Sequence, residues 1–319
     1  MDLKFNNFGV IITCSKNDYI FAKGCCASVR HFMGDVPICL LVDGVDCSEI
    51  AKVYNAQILT RADIQNPTLK EMSFGWGLTK MNAFWYSPFE HFMLLDADTA
   101  IWGDMLAGID FDKYDVIIDA PKVPYTDEAI QSYFFDIPRL QQLYPDFKHK
   151  GLPYVCTGII YAKKNALDME QYINFLNMKE ARKEIFKFGE QGYLNFTIFY
   201  AKQQGKIRVE NRDIQYIVGD YPTDHMISRF KMVNDKPVVD DGGVIIHWAG
   251  ASKPVISNPS GYYTAPMTFF RKKFLSDSQL NPSLIENKLK KEDALWRRKN
   301  PIQGSFWYII KRLRHKLGI

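Results

Sequence analysis

Short, uninterrupted apolar runs alternate with longer stretches of helical spacing through the first 120 residues. FGVIIT (Phe8–Thr13) predicts a buried strand closed by the polar turn Ser15-Lys16-Asn17-Asp18. From Tyr19 to Phe32 apolar residues, among them Ile20, Ala27 and Val29, recur at helical spacing. PICLLV (Pro37–Val42) predicts a second strand ended by Asp43-Gly44, followed by a short helix near Ser48–Tyr54 and a strand around Ala56–Leu59. Trp76–Tyr86 reads as a helix stopped at Ser87-Pro88, and His91–Leu95 and Asp115–Ile118 as two further strands. Fully apolar strands alternating with helices predict a mainly parallel sheet covered on both faces.

The second half is more mixed. Residues 119–155 are rich in Pro, Tyr and charge and predict a long excursion. Thr157–Ala162 predicts a strand, 165–180 and 190–203 helices, and Gly243–His247 a last strand followed by a loop. No internal repeat is visible. The expected organisation is one α/β domain over residues 1–265 and a basic helical tail over 266–319.

Composition and charge refine this picture. At 47% hydrophobic and 14% aromatic, the chain has enough apolar material for a substantial core. The net charge of +4 hides an asymmetry: residues 271–319 hold thirteen Lys/Arg against four Asp/Glu, a net +9, which leaves the preceding 270 at −5. A mildly acidic body with a basic end suggests an attachment segment for an anionic surface. The apolar stretch at the N-terminus is too short for a signal peptide, and no window reaches the roughly 20 apolar residues of a membrane span. Six cysteines without C-x-x-C spacing predict reduced thiols. The expected location is the cytoplasm, at the inner face of the membrane.

The candidate chemistry begins at FMLLDADTAIWGD (Phe92–Asp104), where an apolar strand delivers two carboxylates. Alternate residues of an extended chain face the same way, so Asp96 and Asp98 share a side at a strand end, where open α/β sheets bind ligands. Two carboxylates held together repel, and a divalent cation relieves that repulsion. Capping of the next helix by Asp96, with Asp98 in solvent, is the plain alternative.

The wider tract GLTKMNAFWYSPFEHFMLLDADTAIWGD resembles nucleotide-sugar glycosyltransferases of the GT-A fold, in which a helix bearing a basic residue leads into a strand ending in D-x-D. GGVIIHWAGASKP (Gly242–Pro254), TGIIYAKKNAL (Thr157–Leu167) and FGEQGYLNF (Phe188–Phe196) resemble three elements of glycosyltransferase family 8, in the right order. The resemblance implies that Asp96, Asp98 and His247 hold Mn²⁺ or Mg²⁺. It further implies that Thr13, Lys80, Asp96, Gly250 and Lys253 contact a nucleotide-diphosphate sugar, UDP-linked in the family, and that Glu190 and Gln191 line the sugar pocket as catalytic candidates. Four departures stand out: Lys16 where relatives read uracil with an acid, Cys156 in place of Asn, Gly192 in place of a second acid, and Val255 in place of Trp.

The implied activity is metal-dependent hexosyl transfer with retention, to a glycan or lipid-linked acceptor, in cell-surface polysaccharide or lipopolysaccharide synthesis. Retention with an amide at Gln191 favours front-side attack over a covalent intermediate, with Glu190 the alternative nucleophile. Two other readings remain: a sugar nucleotidyltransferase, which would want a Gly-rich basic first turn, and a non-catalytic carbohydrate-binding protein with a decayed site. On a helical projection of SFWYIIKRLRHKLGI, Phe306, Ile309, Ile310, Leu313 and Leu317 share a face opposite Lys311, Arg312 and His315, the pattern of a helix lying in an anionic membrane interface. Nucleic acid is not expected as a partner, because the aromatics sit on the apolar face. Tyr125, Tyr133, Phe134 and Tyr144 are candidates for stacking on acceptor sugars.

Overall fold

The computed structural model describes residues 7–75, 77–182, 184–187, 190–239, 242–250, 252–255 and 261–300. Seven strands form the main sheet: β1 (Phe8–Ser15), β2 (Ile38–Asp43), β3 (Gln57–Leu59), β4 (His91–Asp96), β6 (Val116–Asp119), β7 (Ile159–Lys163) and β8 (Val209–Arg212). Their order is β3-β2-β1-β4-β7-β6-β8. All neighbours are parallel except that β7 runs antiparallel to both β4 and β6. A smaller sheet joins β5 (Thr99–Trp102) and β9 (Gln215–Ile217) to the two sides of β12 (Val244–His247). Between them lies a short hairpin, β10 (Met232–Val233) with β11 (Lys236–Pro237).

Strand alternation divides the core in two. Val10, Ile12, Leu40, Met93 and Leu95 belong to one buried cluster, and Ile11, Cys39, Leu41, Phe92 and Leu94 to the other. The first is covered by α1 (Tyr19–Met33) and the second by α7 (Met169–Ala181) and α8 (Glu190–Gln203). This is the doubly covered sheet that apolar strands demand, and the early elements fall where the sequence pattern puts them. Two corrections follow. Over the described residues 77–86 of the expected helix, a 3₁₀ turn (Leu78–Asn82) runs into one turn of α-helix (Ala83–Tyr86), not one continuous helix. The excursion at 119–155 contains two short helices, Asp127–Tyr133 and Ile137–Leu143, capped by Thr126 and Asp136.

The expected boundary near residue 265 does not fall at a gap in packing. With four short helices (Ser48–Tyr54, Pro67–Met72, Ala83–Tyr86 and Thr223–Arg229) and those two counted in chain order, the last two are α10 (Ala265–Asp277) and α11 (Pro282–Lys299). Met267, Phe270 and Phe274 of α10 are wholly buried in the first core cluster. Arg271, 1% exposed, pairs with Asp293 of α11 at 2.6 Å, and Lys23 of α1 pairs with Glu292 at 2.9 Å. These pairs tie the segment after residue 270 into the fold and leave its net +9 unchanged. The amphipathic segment from Phe306 to Leu317 lies outside the described residues.

Candidate active site

Strand register brings the site together. Thr13 at the end of β1 lies opposite Asp96 at the end of β4. The chain then turns through Ala97-Asp98, and the turn is fixed by Thr99 Oγ1 donating to Asp96 O at 2.7 Å and Trp248 N donating to Asp98 O at 3.0 Å. His247 pairs with Thr99 across β12 and β5, so residues about 150 apart in sequence arrive side by side. One ligand atom from each of Asp96, Asp98 and His247 lies within 4.8 Å of the others.

The neighbours of His247 bear on whether it can hold a cation. Its Nδ1 lies 3.0 Å from Gln215 Oε1, while Gln215 Nε2 donates to Cys156 O at 3.0 Å. The amide is thereby oriented with its oxygen towards the ring, which assigns the proton to Nδ1 in the neutral imidazole. Nε2 is left facing Asp98 Oδ1 at 3.4 Å. Two carboxylates and one imidazole nitrogen suit a hard divalent ion such as Mn²⁺ or Mg²⁺, so the residues fit that group. Gly158 makes the approach possible, because a Cβ there would stand 2.3 Å from both His247 Nδ1 and Gln215 Oε1.

Lysines balance these acids. Lys80, 2% exposed, places Nζ 2.7 Å from Asp96, 3.1 Å from Glu190 and 3.1 Å from Thr157 O. Burial opposes its charge, but Asp96 and Glu190 outweigh that and raise its pKa. Lys253 contacts Asp98 Oδ2 directly and lies 3.8 Å from Asp18. Burial would raise Asp98, yet Lys253 and His247 hold its carboxyl well below the usual range. Burial also opposes the imidazolium, but the Cys156 sulfur and the Asp98 carboxylate push His247 up to about 10. Fixed positive charge therefore stands ready where an anionic ligand would lie.

Lys80, Asp96, Asp98, Glu190 and Lys253 line a cavity of about 530 Å³ at the carboxyl ends of β1, β2 and β4, and His247 stands behind Asp98. Asn17, Asp18 and Asp43 complete its walls, and none of the three was singled out from the sequence. Asp43 accepts from Gly75 N at 2.9 Å and so holds the loop that forms the far wall. A second cavity of about 270 Å³, lined by Asp119, Tyr125, Tyr154, Cys156, Gln215 and Tyr221, lies behind His247, since Cys156 and Gln215 both touch that ring.

No protein-family model matches the sequence, and none of the curated proteins matches it. Solved structures do match in shape. The galactosyltransferase LgtC, in complex with donor and acceptor sugar analogs, superposes with a TM-score of 0.51 at 12% identity, over 85% of this chain and 95% of that one. The bifunctional glycosyltransferase WbbM matches at 0.52 and 14% identity over 91% of this chain and 53% of its own. The apo form of GlyE from Streptococcus pneumoniae TIGR4 matches at 0.51 and 13% identity, over 90% of this chain and 64% of that one.

The fold is GT-A.

Within the GT-A frame, the residues singled out from the sequence fall into three groups. Thr13, Lys80, Asp96, Asp98, Glu190 and Lys253 line the first cavity, and His247 stands against Asp98. Gln191 is half-buried on the first turn of α8, and the cavity wall there is Glu190. Gly250, exposed with φ 58°, sits in the loop after β12 that carries Lys253. Lys16 is exposed on the turn beside the cavity, whose wall is formed by Asn17 instead. Of the stacking candidates only Tyr125 lines a cavity; Phe134 is wholly buried, Tyr144 packs on Phe175 and Phe196, and Tyr133 is half-exposed. Gly192 has a packing reason: a Cβ would fall 1.7 Å from Phe134 O, which leaves no room for the acid the family carries there.

Proposed function

We propose that this protein is a metal-dependent glycosyltransferase that moves a hexose from a nucleoside-diphosphate sugar to a glycan or lipid-linked glycan. The observation that carries the reading is the convergence of Asp96, Asp98 and His247 within 4.8 Å, with Asp96, Asp98 and Lys253 lining a nucleotide-sized cavity in a GT-A fold. A divalent cation held by these three residues would neutralise the departing diphosphate. Lys253 adds positive charge at the same place, with the donor nucleoside, UDP by family resemblance, over the ends of β1 and β2. Thr13 and Asp96 face it from the strand ends, and Gly250 gives the loop the backbone freedom to approach.

Glu190 is held by Lys80 and by Thr157 Oγ1 at 3.0 Å, an arrangement that suits binding a sugar hydroxyl better than attack on carbon. We therefore favour front-side transfer with retention. The acceptor oxygen bonds to the anomeric carbon on the face from which the phosphate oxygen departs. The acceptor proton passes to that phosphate oxygen, and Gln191 lies on the opposite side as a polar support. The second cavity is the acceptor's place, with Tyr125 and Tyr221 offering faces to a sugar ring and Asp119 its carboxylate.

The basic, amphipathic end of the sequence fits work at an anionic membrane face in cell-surface polysaccharide or lipopolysaccharide synthesis. No helix among the described residues is long and apolar enough to cross a membrane. The test is a panel of nucleotide sugars assayed for Mn²⁺-dependent hydrolysis and transfer. One donor should be consumed with Mn²⁺ and not with EDTA, and Asp96→Asn and Asp98→Asn should each lose at least about a hundredfold in rate while remaining folded. Full activity in EDTA or in either variant would overturn the reading.

A further inference from the structure

The turn Ser15–Asp18 joins β1 to α1, and Ser15, Asn17 and Asp18 all line the first cavity. Within the turn Asp18 N donates to Ser15 O at 3.0 Å, Asn17 N to Ser15 Oγ at 3.3 Å and Ser15 Oγ to Asp18 Oδ2 at 2.6 Å. These bonds shape the turn but do not hold it against the body of the protein. One contact does. Trp296, near the end of α11 and nearly 280 residues away, donates its indole N–H to Asn17 O at 2.6 Å. Its ring packs edge-on against Phe21 of α1, with centroids 5.4 Å apart.

The helix carrying Trp296 is fixed in register one turn earlier. Glu292 pairs with Lys23 at 2.9 Å, and Asp293, 2% exposed, pairs with Arg271 at 2.6 Å. Buried charge pairs of this kind tolerate little sliding, because shifting either helix leaves an uncompensated charge. The indole is thus delivered to the turn from a rigid support.

We propose that Trp296 is a positioning residue for the nucleoside part of the donor, holding the Asn17 turn in its binding conformation. This rests on the cavity being a nucleoside-diphosphate site. The tryptophan touches no ligand; it acts through the Asn17 carbonyl. Lys253 touches the turn at Asp18, but its closer partner is Asp98, and the cation-binding residues lie on other elements, so the phosphates should feel the loss much less than the nucleoside.

Trp296→Phe keeps the ring on Phe21 and removes only the donor. Binding of UDP, GDP, CDP and ADP with Mn²⁺, and of inorganic pyrophosphate with Mn²⁺, would be measured by calorimetry for the full chain and the variant. The preferred nucleoside diphosphate should weaken roughly three- to tenfold, as for one lost hydrogen bond, while pyrophosphate stays within about twofold. Equal weakening of both, or of neither, would overturn the proposal. A second measurement needs no ligand: amide hydrogen exchange at residues 16–18 should quicken in the variant while the β1 and β4 amides keep their protection. Unchanged exchange there would also overturn it. If the wild-type chain bound none of the four nucleotides, the reading of the cavity would fail, and the exchange result alone would decide the role of Trp296.

Discussion

Asp98 has both carboxylate oxygens engaged, one facing His247 and the other held by Lys253. For Asp98 to bind a cation, the lysine must give up that contact, and a diphosphate would offer it a new one. Lys253→Met should therefore bind Mn²⁺ alone several-fold more tightly while binding Mn²⁺ with its nucleoside diphosphate about tenfold more weakly. Electron paramagnetic resonance of free Mn²⁺ checks the first and calorimetry the second; movement of both in one direction would refute the argument. Asp119 allows a separate test through pH. Burial pushes its carboxyl up to about 6, against hydrogen bonds from the backbone amides of Ile214 and Ala120. The ordinary value is about 3.9, so the folded state favours the protonated form. The resulting stabilisation is fully present below about 3.9 and is lost as pH rises through about 6. Asp119→Asn stays neutral throughout. Its stability relative to wild type, from urea unfolding, should increase between pH 4 and pH 7, and a pH-independent difference would contradict this assignment.

Among the elements, α8 shows how packing can forbid a residue that chemistry would allow. Gly192 sits on its first turn with Phe134 O directly beneath, and that carbonyl also accepts from Lys187 N at 2.8 Å. Gly192→Asp should destabilise the protein by about 3 kcal/mol and lower its melting temperature, because backbone must move to admit any Cβ. The strands that carry the site were legible in the sequence for a simple reason. FGVIIT, PICLLV and HFMLLD are buried on both faces and read as unbroken apolar runs. VENR and QYI, which became β8 and β9, carry polar residues with partners inside the fold, so hydropathy did not mark them. Gln215 was missed for that reason, although it orients His247. Asn17 and Asp43 were passed over as turn residues, since their part in the cavity depends on which strand ends lie side by side. The 3₁₀ turn at Leu78–Asn82 escaped because its apolar spacing is equally that of an α-helix.

At the scale of the whole molecule, the question is where the folded body stops. Summed charge suggested residue 266, but a sum cannot show that Arg271 meets Asp293 or that Lys23 meets Glu292. Met267, Phe270 and Phe274 bury against α1, and burying each such side chain is worth about 1.5–3 kcal/mol. A chain ending at Thr264 would expose that face of α1 and leave Lys23 with Glu49 as partner but without Glu292. It should fail to fold or aggregate. A chain ending at Gln303 retains α10, α11 and Trp296, and should unfold cooperatively at the wild-type temperature with its nucleotide affinity intact. It lacks the four Lys/Arg and the apolar face between Phe306 and Leu317. Each of those charges near an anionic leaflet contributes about 1 kcal/mol, a term that salt screens, whereas the apolar face inserts independently of salt. Full-length protein should therefore sediment with anionic vesicles more than with neutral ones, and the chain ending at Gln303 should lose most of that binding. The two truncations separate the expected roles, stability for residues 265–299 and membrane affinity for those after 303. Undiminished vesicle binding by the chain ending at Gln303 would move the attachment surface onto the folded body.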